Sequence, residues 1–93
     1  MSESPTFAAA AAELPEKYAD RLSDDDARWV HAAAAGGEYG EMLEALLAGL
    51  ERSEAPVTVD ERDELAHLAA EAGLPAGSTD GLSLRRSSGT SDQ

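Results

Sequence analysis

GGEYGEMLEALLAGL, Gly36 to Leu50, holds the densest run of large aliphatic side chains in the sequence. Tyr39, Met42, Leu43, Leu46, Leu47 and Leu50 recur at alternating steps of three and one, which paints a wide apolar face on a helix. Glu38, Glu41, Glu44 and Glu51 fall towards the other side. Gly40 and Gly49 weaken such a helix by about 1 kcal/mol each relative to alanine, less for Gly40 in the first turn. Gly49 would let a second helix approach closely. The stretch is either the central packing helix of a small domain or a surface that another chain grips. Its core-like period, with partner helices on both sides, favours the central helix.

Upstream lies SDDDARWVHAAAAGG, Ser23 to Gly37. Ser23 is a good N-cap, and Asp24, Asp25 and Asp26 suit the positive end of a helix dipole. Ala27, Val30 and Ala34 form a narrow apolar face flanked by Trp29 and His31. Gly36 and Gly37 end the helix, one of them left-handed. Downstream, Pro56 bars continuation, and Thr58 with Glu61 reads as a capping box for a last helix whose apolar face is Leu65, Leu68, Ala69 and Ala72. Gly73-Leu74-Pro75 is a stop signal. Before Ser23, a mostly alanine stretch, Thr6 to Glu13, meets Pro15. Leu14, Tyr18 and Leu22 then recur every four residues. This is either a separate short helix, Pro15 to Leu22, or one kinked helix carrying Phe7, Ala11, Leu14, Tyr18 and Leu22 in a stripe. No run alternates with period two, so no strand is expected. Residues 1–5 and the Gly/Ser/Thr-rich 76–93 are expected to be disordered or flexible. The fold expected is all-α: a small three- to four-helix bundle over residues 6–75 with a disordered C-terminal tail.

The chain has 93 residues, four aromatics and no cysteine. That allows one small domain of modest stability and excludes disulfides, thiolate metal sites and cysteine nucleophiles. The N-terminal run has no basic leader and is too weakly apolar to span a membrane. A cytoplasmic protein is the expectation. The formal net charge is −12, and Glu13 to Pro75 holds sixteen acids against five bases. The acidity therefore belongs to the folded part. Such a field repels nucleic acid and anionic membrane and attracts basic partners. Its plainest role is solubility.

Enzyme signatures are missing. His31 and His67 fall on different helices, there is no HExxH or GxSxG, and GGEYG lacks the lysine of a phosphate loop. The acidic runs lack calcium-loop spacing. No catalysis, cofactor, metal or small-molecule substrate is expected. Trp29 is either a core anchor or an exposed binding aromatic, and tryptophan is over-represented at binding hot spots. Asp24, Asp25, Asp26, Asp60, Glu61, Asp63 and Glu64 crowd two helix starts, which alternating helix directions would bring to one end of the bundle together with the end of the leucine-rich helix. Arg85 and Arg86 in the tail are expected to be solvated.

The order of a weak leading helix, GEYGEMLEALLAGL, a loop with APVT, and DERDELAHLAAEAGLP resembles the MafI-type immunity proteins of bacterial polymorphic toxin systems. The likeness covers about Leu14 to Leu74, and its most distinctive part is the leucine helix with the following Pro-Val-Thr. The alanine-rich N-terminus and polar tail depart from the pattern, and Glu54 stands where that family carries an acidic or amide residue in the loop. The resemblance implies a small helical protein that binds and neutralises a cognate toxin, often a ribonuclease with a basic cleft. Expected charge contacts are Asp24, Asp25, Asp26, Asp60, Glu61, Asp63 and Glu64, with Glu38 and Glu41 as a second set and Trp29 and Tyr39 as aromatic anchors. The alternative is a small acidic adaptor or regulatory protein that works through its leucine face or by dimerising.

Overall fold

Residues 5–84 are described by the computed structural model. They form an all-α fold of four longer helices with one short pair of strands. Helix α1 spans Pro5–Ala12, and a single turn, α2, spans Leu14–Lys17. A 3-10 turn, Ala19–Arg21, follows. Helix α3 is Asp24–Ala35, α4 is Tyr39–Ser53 and α5 is Val59–Glu71. Strand β1, Pro56–Val57, pairs in parallel with β2, Ser83–Leu84.

The leucine stretch is the core helix. Met42, Leu43, Leu46, Leu47 and Leu50 are all buried. Around them pack Val30 and Ala33 from α3, Leu65, Leu68 and Ala69 from α5, and Phe7, Ala11, Leu14, Tyr18 and Leu22 from the N-terminal segments. The N-terminal stripe therefore exists, but the helix carrying it breaks at Glu13. Pro15 enters at the first turn of α2, where its missing N–H costs least. After Tyr18 the chain tightens to 3-10 geometry and leaves in extended conformation at Leu22.

The helix ends follow their local chemistry. Ser23 Oγ accepts from the Asp26 N–H at 3.1 Å. Both halves of the capping box form at α5: the Glu61 N–H donates to Thr58 Oγ1 at 3.0 Å, and the Thr58 N–H donates to Glu61 Oε1 at 2.9 Å. Gly37 takes the left-handed conformation after α3. After α4 the left-handed position is Glu54 (φ 52°), an uncommon place for a side-chain-bearing residue. The Ala55 N–H closes that end by donating to the Leu50 carbonyl at 3.2 Å. Gly49 has the close approach expected of it. A Cβ there would lie 2.9 Å from Leu22 Cδ2 and 3.2 Å from Asp26 Cβ.

Two expectations need correction. The folded part does not end at Pro75. Residues 76–84 form turns and β2, Thr79 is buried, and Leu82 joins the core. A single leucine among glycines and serines has no period, so nothing in the sequence pattern marked it. The strand pair is likewise unmarked, because two residues cannot show alternation. The remainder of the expected flexible tail, 85–93 with Arg85 and Arg86, and of the expected disordered N-terminus, 1–4, lies outside the described residues.

Tyr18 is fully buried, and its hydroxyl has no hydrogen-bond partner among the described residues. Desolvation, aided by the nearby Glu61 and Glu64 carboxylates, pushes its pKa above the ordinary phenol value. Replacing Tyr18 by phenylalanine keeps the ring under Arg21, whose guanidinium carbon lies 4.8 Å from its centroid, and removes the unsatisfied group. Tyr18→Phe is expected to raise stability by about 1 kcal/mol, read as a higher urea midpoint with an unchanged slope. A loss of comparable size would mean that the hydroxyl has a partner.

Candidate functional site

The α3 and α4 pair is the most extensive helix contact in the fold, and its outer seam is a groove of about 660 Å³. From α3 the groove is lined by Asp25, Asp26 and Trp29. From α4 it is lined by Glu41, Glu44, Ala45, Ala48 and Arg52. The small alanines keep the floor low, and the carboxylates stand on both walls. Trp29 is 66% exposed. Its other side borders a smaller recess of about 160 Å³ formed with Ala32, Ala33, Glu38 and Glu41. Trp29 is thus the ridge between two hollows, and Glu41 lines both.

Why the indole points outward follows from the helix geometry. Val30 and Ala33 take the buried line of α3, with Ala27 and Ala34 packed at its margins. Trp29 lies one helical step (100°) from Val30, which takes it off the buried line and onto the α3–α4 seam. The sequence left core anchor and exposed aromatic open; Trp29 is exposed. Tyr39 is half-buried and makes an edge-to-face contact with Phe7, centroids 6.1 Å apart. Much of its ring is therefore engaged within the fold.

Five expected site residues come together at this seam: Asp25, Asp26, Trp29, Glu38 and Glu41. The set expected at the helix starts does not stay free as a whole. Asp26 Oδ1 accepts from Arg52 Nη2 at 2.6 Å, tying the start of α3 to the end of α4. This bond, helped by the Ser23 hydroxyl, holds the Asp26 carboxyl below its ordinary pKa. Glu61 is forked by Arg21 at 2.8 and 2.9 Å while it completes the capping box. Its pKa falls from 4.5 to about 2, with the Arg21 hydrogen bond as the largest cause. With its side chain 15% exposed, Glu61 belongs to the fold and offers no charge outward. Glu64 meets Lys17 at 3.1 Å. Asp24, Asp25, Asp60 and Asp63 are exposed. The pairs Asp25–Arg28 (3.4 Å) and Asp63–Arg62 (3.8 Å) are solvated and worth little.

Glu44, Ala45, Ala48 and Arg52 were not among the expected site residues. Their signal is the spacing of Glu41, Glu44, Ala45 and Ala48 along one flank of α4 at steps of three and one. That spacing becomes a groove only when a second helix runs beside it. Among the described residues no group of three His, Cys, Asp or Glu is placed to hold a metal ion, and no helix is long and apolar enough to cross a membrane. No protein-family model, curated protein or solved structure matches the chain.

Proposed function

We propose that this chain is a non-catalytic inhibitor of a basic protein: an immunity protein that neutralises a cognate toxin, a nuclease domain in the simplest case, by direct one-to-one binding in the cytoplasm. The observation that carries the reading is Trp29, a 66%-exposed indole set between acidic walls in the α3–α4 groove. Exposing a large ring costs solvation, and tryptophan is the residue most enriched among binding hot spots. The net charge of −12 supplies long-range attraction to a cationic partner, giving fast and salt-sensitive association. A nuclease cleft is basic because it binds phosphate. Carboxylates on a rigid helix pair can occupy it in place of the nucleic acid. Asp24, Asp60, Asp63 and Glu64 lie outside the groove and contribute to steering. The resemblance of the leucine helix and its capped neighbour to MafI-type immunity proteins supports the same reading.

The adaptor alternative needs a free leucine face. Met42, Leu43, Leu46, Leu47 and Leu50 are buried in this chain's own core, so any adhesive surface must be found elsewhere, and the α3–α4 groove is walled by carboxylates.

The test is co-expression with the product of the gene immediately upstream. A stable complex and rescue from toxicity are expected, with rescue lost when Trp29→Ala and Glu41→Gln are combined. Trp29→Ala alone is expected to weaken the complex about 30-fold, the scale of a 2 kcal/mol hot spot. Rescue by an unrelated acidic protein, or full rescue by the double variant, sinks the proposal.

A further inference from the structure

We infer that the α3–α4 groove recognises arginine specifically, taking one guanidinium of a basic segment of the protein partner flat against the Trp29 indole and beside the Glu41 carboxylate. This rests on the protein-binding reading above and names the side chain that the site is built to receive.

The chain carries an internal example of the same arrangement. Arg21 lies over the Tyr18 ring at 4.8 Å while Glu61 accepts two hydrogen bonds from the edge of its guanidinium, at 2.8 and 2.9 Å. A planar cation is held by an aromatic face below and a carboxylate at its rim, the geometry in which arginine outperforms lysine. At the α3–α4 seam the aromatic face and the carboxylates are present and the cation is not. Among the described residues no lysine or arginine lies over the Trp29 ring. The arginine that lines the groove, Arg52, is held by Asp26 at 2.6 Å. Arg28 sits on the exposed side with Asp25 at 3.4 Å.

The fit follows from charge and shape together. Indole is the best aromatic partner for a cation, and arginine the more frequent one. Ala45 and Ala48 leave the floor beside the indole open. Glu41 borders the hollows on both sides of the ring, so a guanidinium stacked from either side meets a carboxylate. Lysine would find the charge but neither the stacking plane nor the two-pronged hydrogen bond.

Trp29 is the chain's sole tryptophan, so its emission reports occupation of the groove directly. The probes are two short blocked peptides of equal charge, one alternating glycine with arginine and the other glycine with lysine, titrated into the full chain. The arginine peptide is expected to shift the emission and to bind about tenfold more tightly than the lysine peptide. By calorimetry, Trp29→Leu is expected to erase that preference, and Glu41→Gln to reduce it. The pair Asp60→Asn with Asp63→Asn, on α5, is expected to leave it intact. Equal affinity for the two peptides overturns the inference, as does binding without an emission change. So does loss of the preference in the α5 variant. The peptides probe the groove without the toxin, so failure here leaves the inhibitor reading to be decided by co-expression alone.

Discussion

Leu46→Ala is expected to remove about 3 kcal/mol of stability, within the range of about 2–5 kcal/mol for truncating a buried leucine. Leu46 is fully buried at the middle of α4, inside the cluster that α3, α5 and the N-terminal segments share. Neighbours on several sides are fixed by their own helices, so the cavity cannot collapse cheaply. A domain of this size holds only about 4–12 kcal/mol in all. The loss is therefore a large fraction of the whole and should show as a much lower urea midpoint with an unchanged slope. Trp29→Ala is the control. It removes a larger side chain from the surface and should change stability by less than about 0.5 kcal/mol. If the two variants unfold at the same midpoint, α4 is not the packing centre and the leucine face becomes available for partner binding after all.

The contrast between Leu46 and Trp29 also shows which features were legible in the sequence. The role of α4 could be read because six large residues keep a helical period over three turns, and period survives whatever the neighbours do. The caps at Ser23 and Thr58 could be read because each is settled within four residues of chain. The side on which Trp29 falls could not, since α3 has a narrow apolar face and the indole borders it. Only the packing of α3 on the core along Val30 and Ala33 settles that the ring lies outside it. Arg21 and Glu61 are forty residues apart, so nothing local announces that Glu61 serves the fold instead of a partner. Leu82 reaches the core from a glycine- and serine-rich stretch, where one apolar residue has no pattern to belong to. The groove itself is a product of two helix flanks, each of which alone reads as a solvated face.

Breaking the Arg21–Glu61 pair should also cost the fold measurably. Arg21→Ala removes a two-pronged hydrogen bond between side chains 24% and 15% exposed. It strips the stacking cover from Tyr18 and leaves Glu61, still held by the Thr58 N–H, without its countercharge. A loss of about 2 kcal/mol at neutral pH is expected, intermediate between a surface pair and a fully buried one. The pH dependence identifies the cause. Glu61 has its pKa depressed from 4.5 to about 2 in the folded chain. On acidification the unfolded chain takes up that proton first. The stabilisation is therefore complete above 4.5 and lost as pH falls from there towards about 2. Asp26, depressed by Arg52, acts with the same sign. The wild-type curve is thus expected to hold from neutrality to about pH 4.5 and to drop below it. In Arg21→Ala the largest cause of the Glu61 depression is gone and only the Thr58 N–H and Lys17 remain, so its drop is shallower and the two curves converge towards pH 2. Urea midpoints across that range measure it. Glu61→Gln should follow Arg21→Ala in shape, since the amide oxygen can keep the Thr58 cap while the charge is gone. Parallel curves for wild type and Arg21→Ala would mean that the guanidinium stabilises by packing on Tyr18 alone, and that the Glu61 carboxylate is free for a partner.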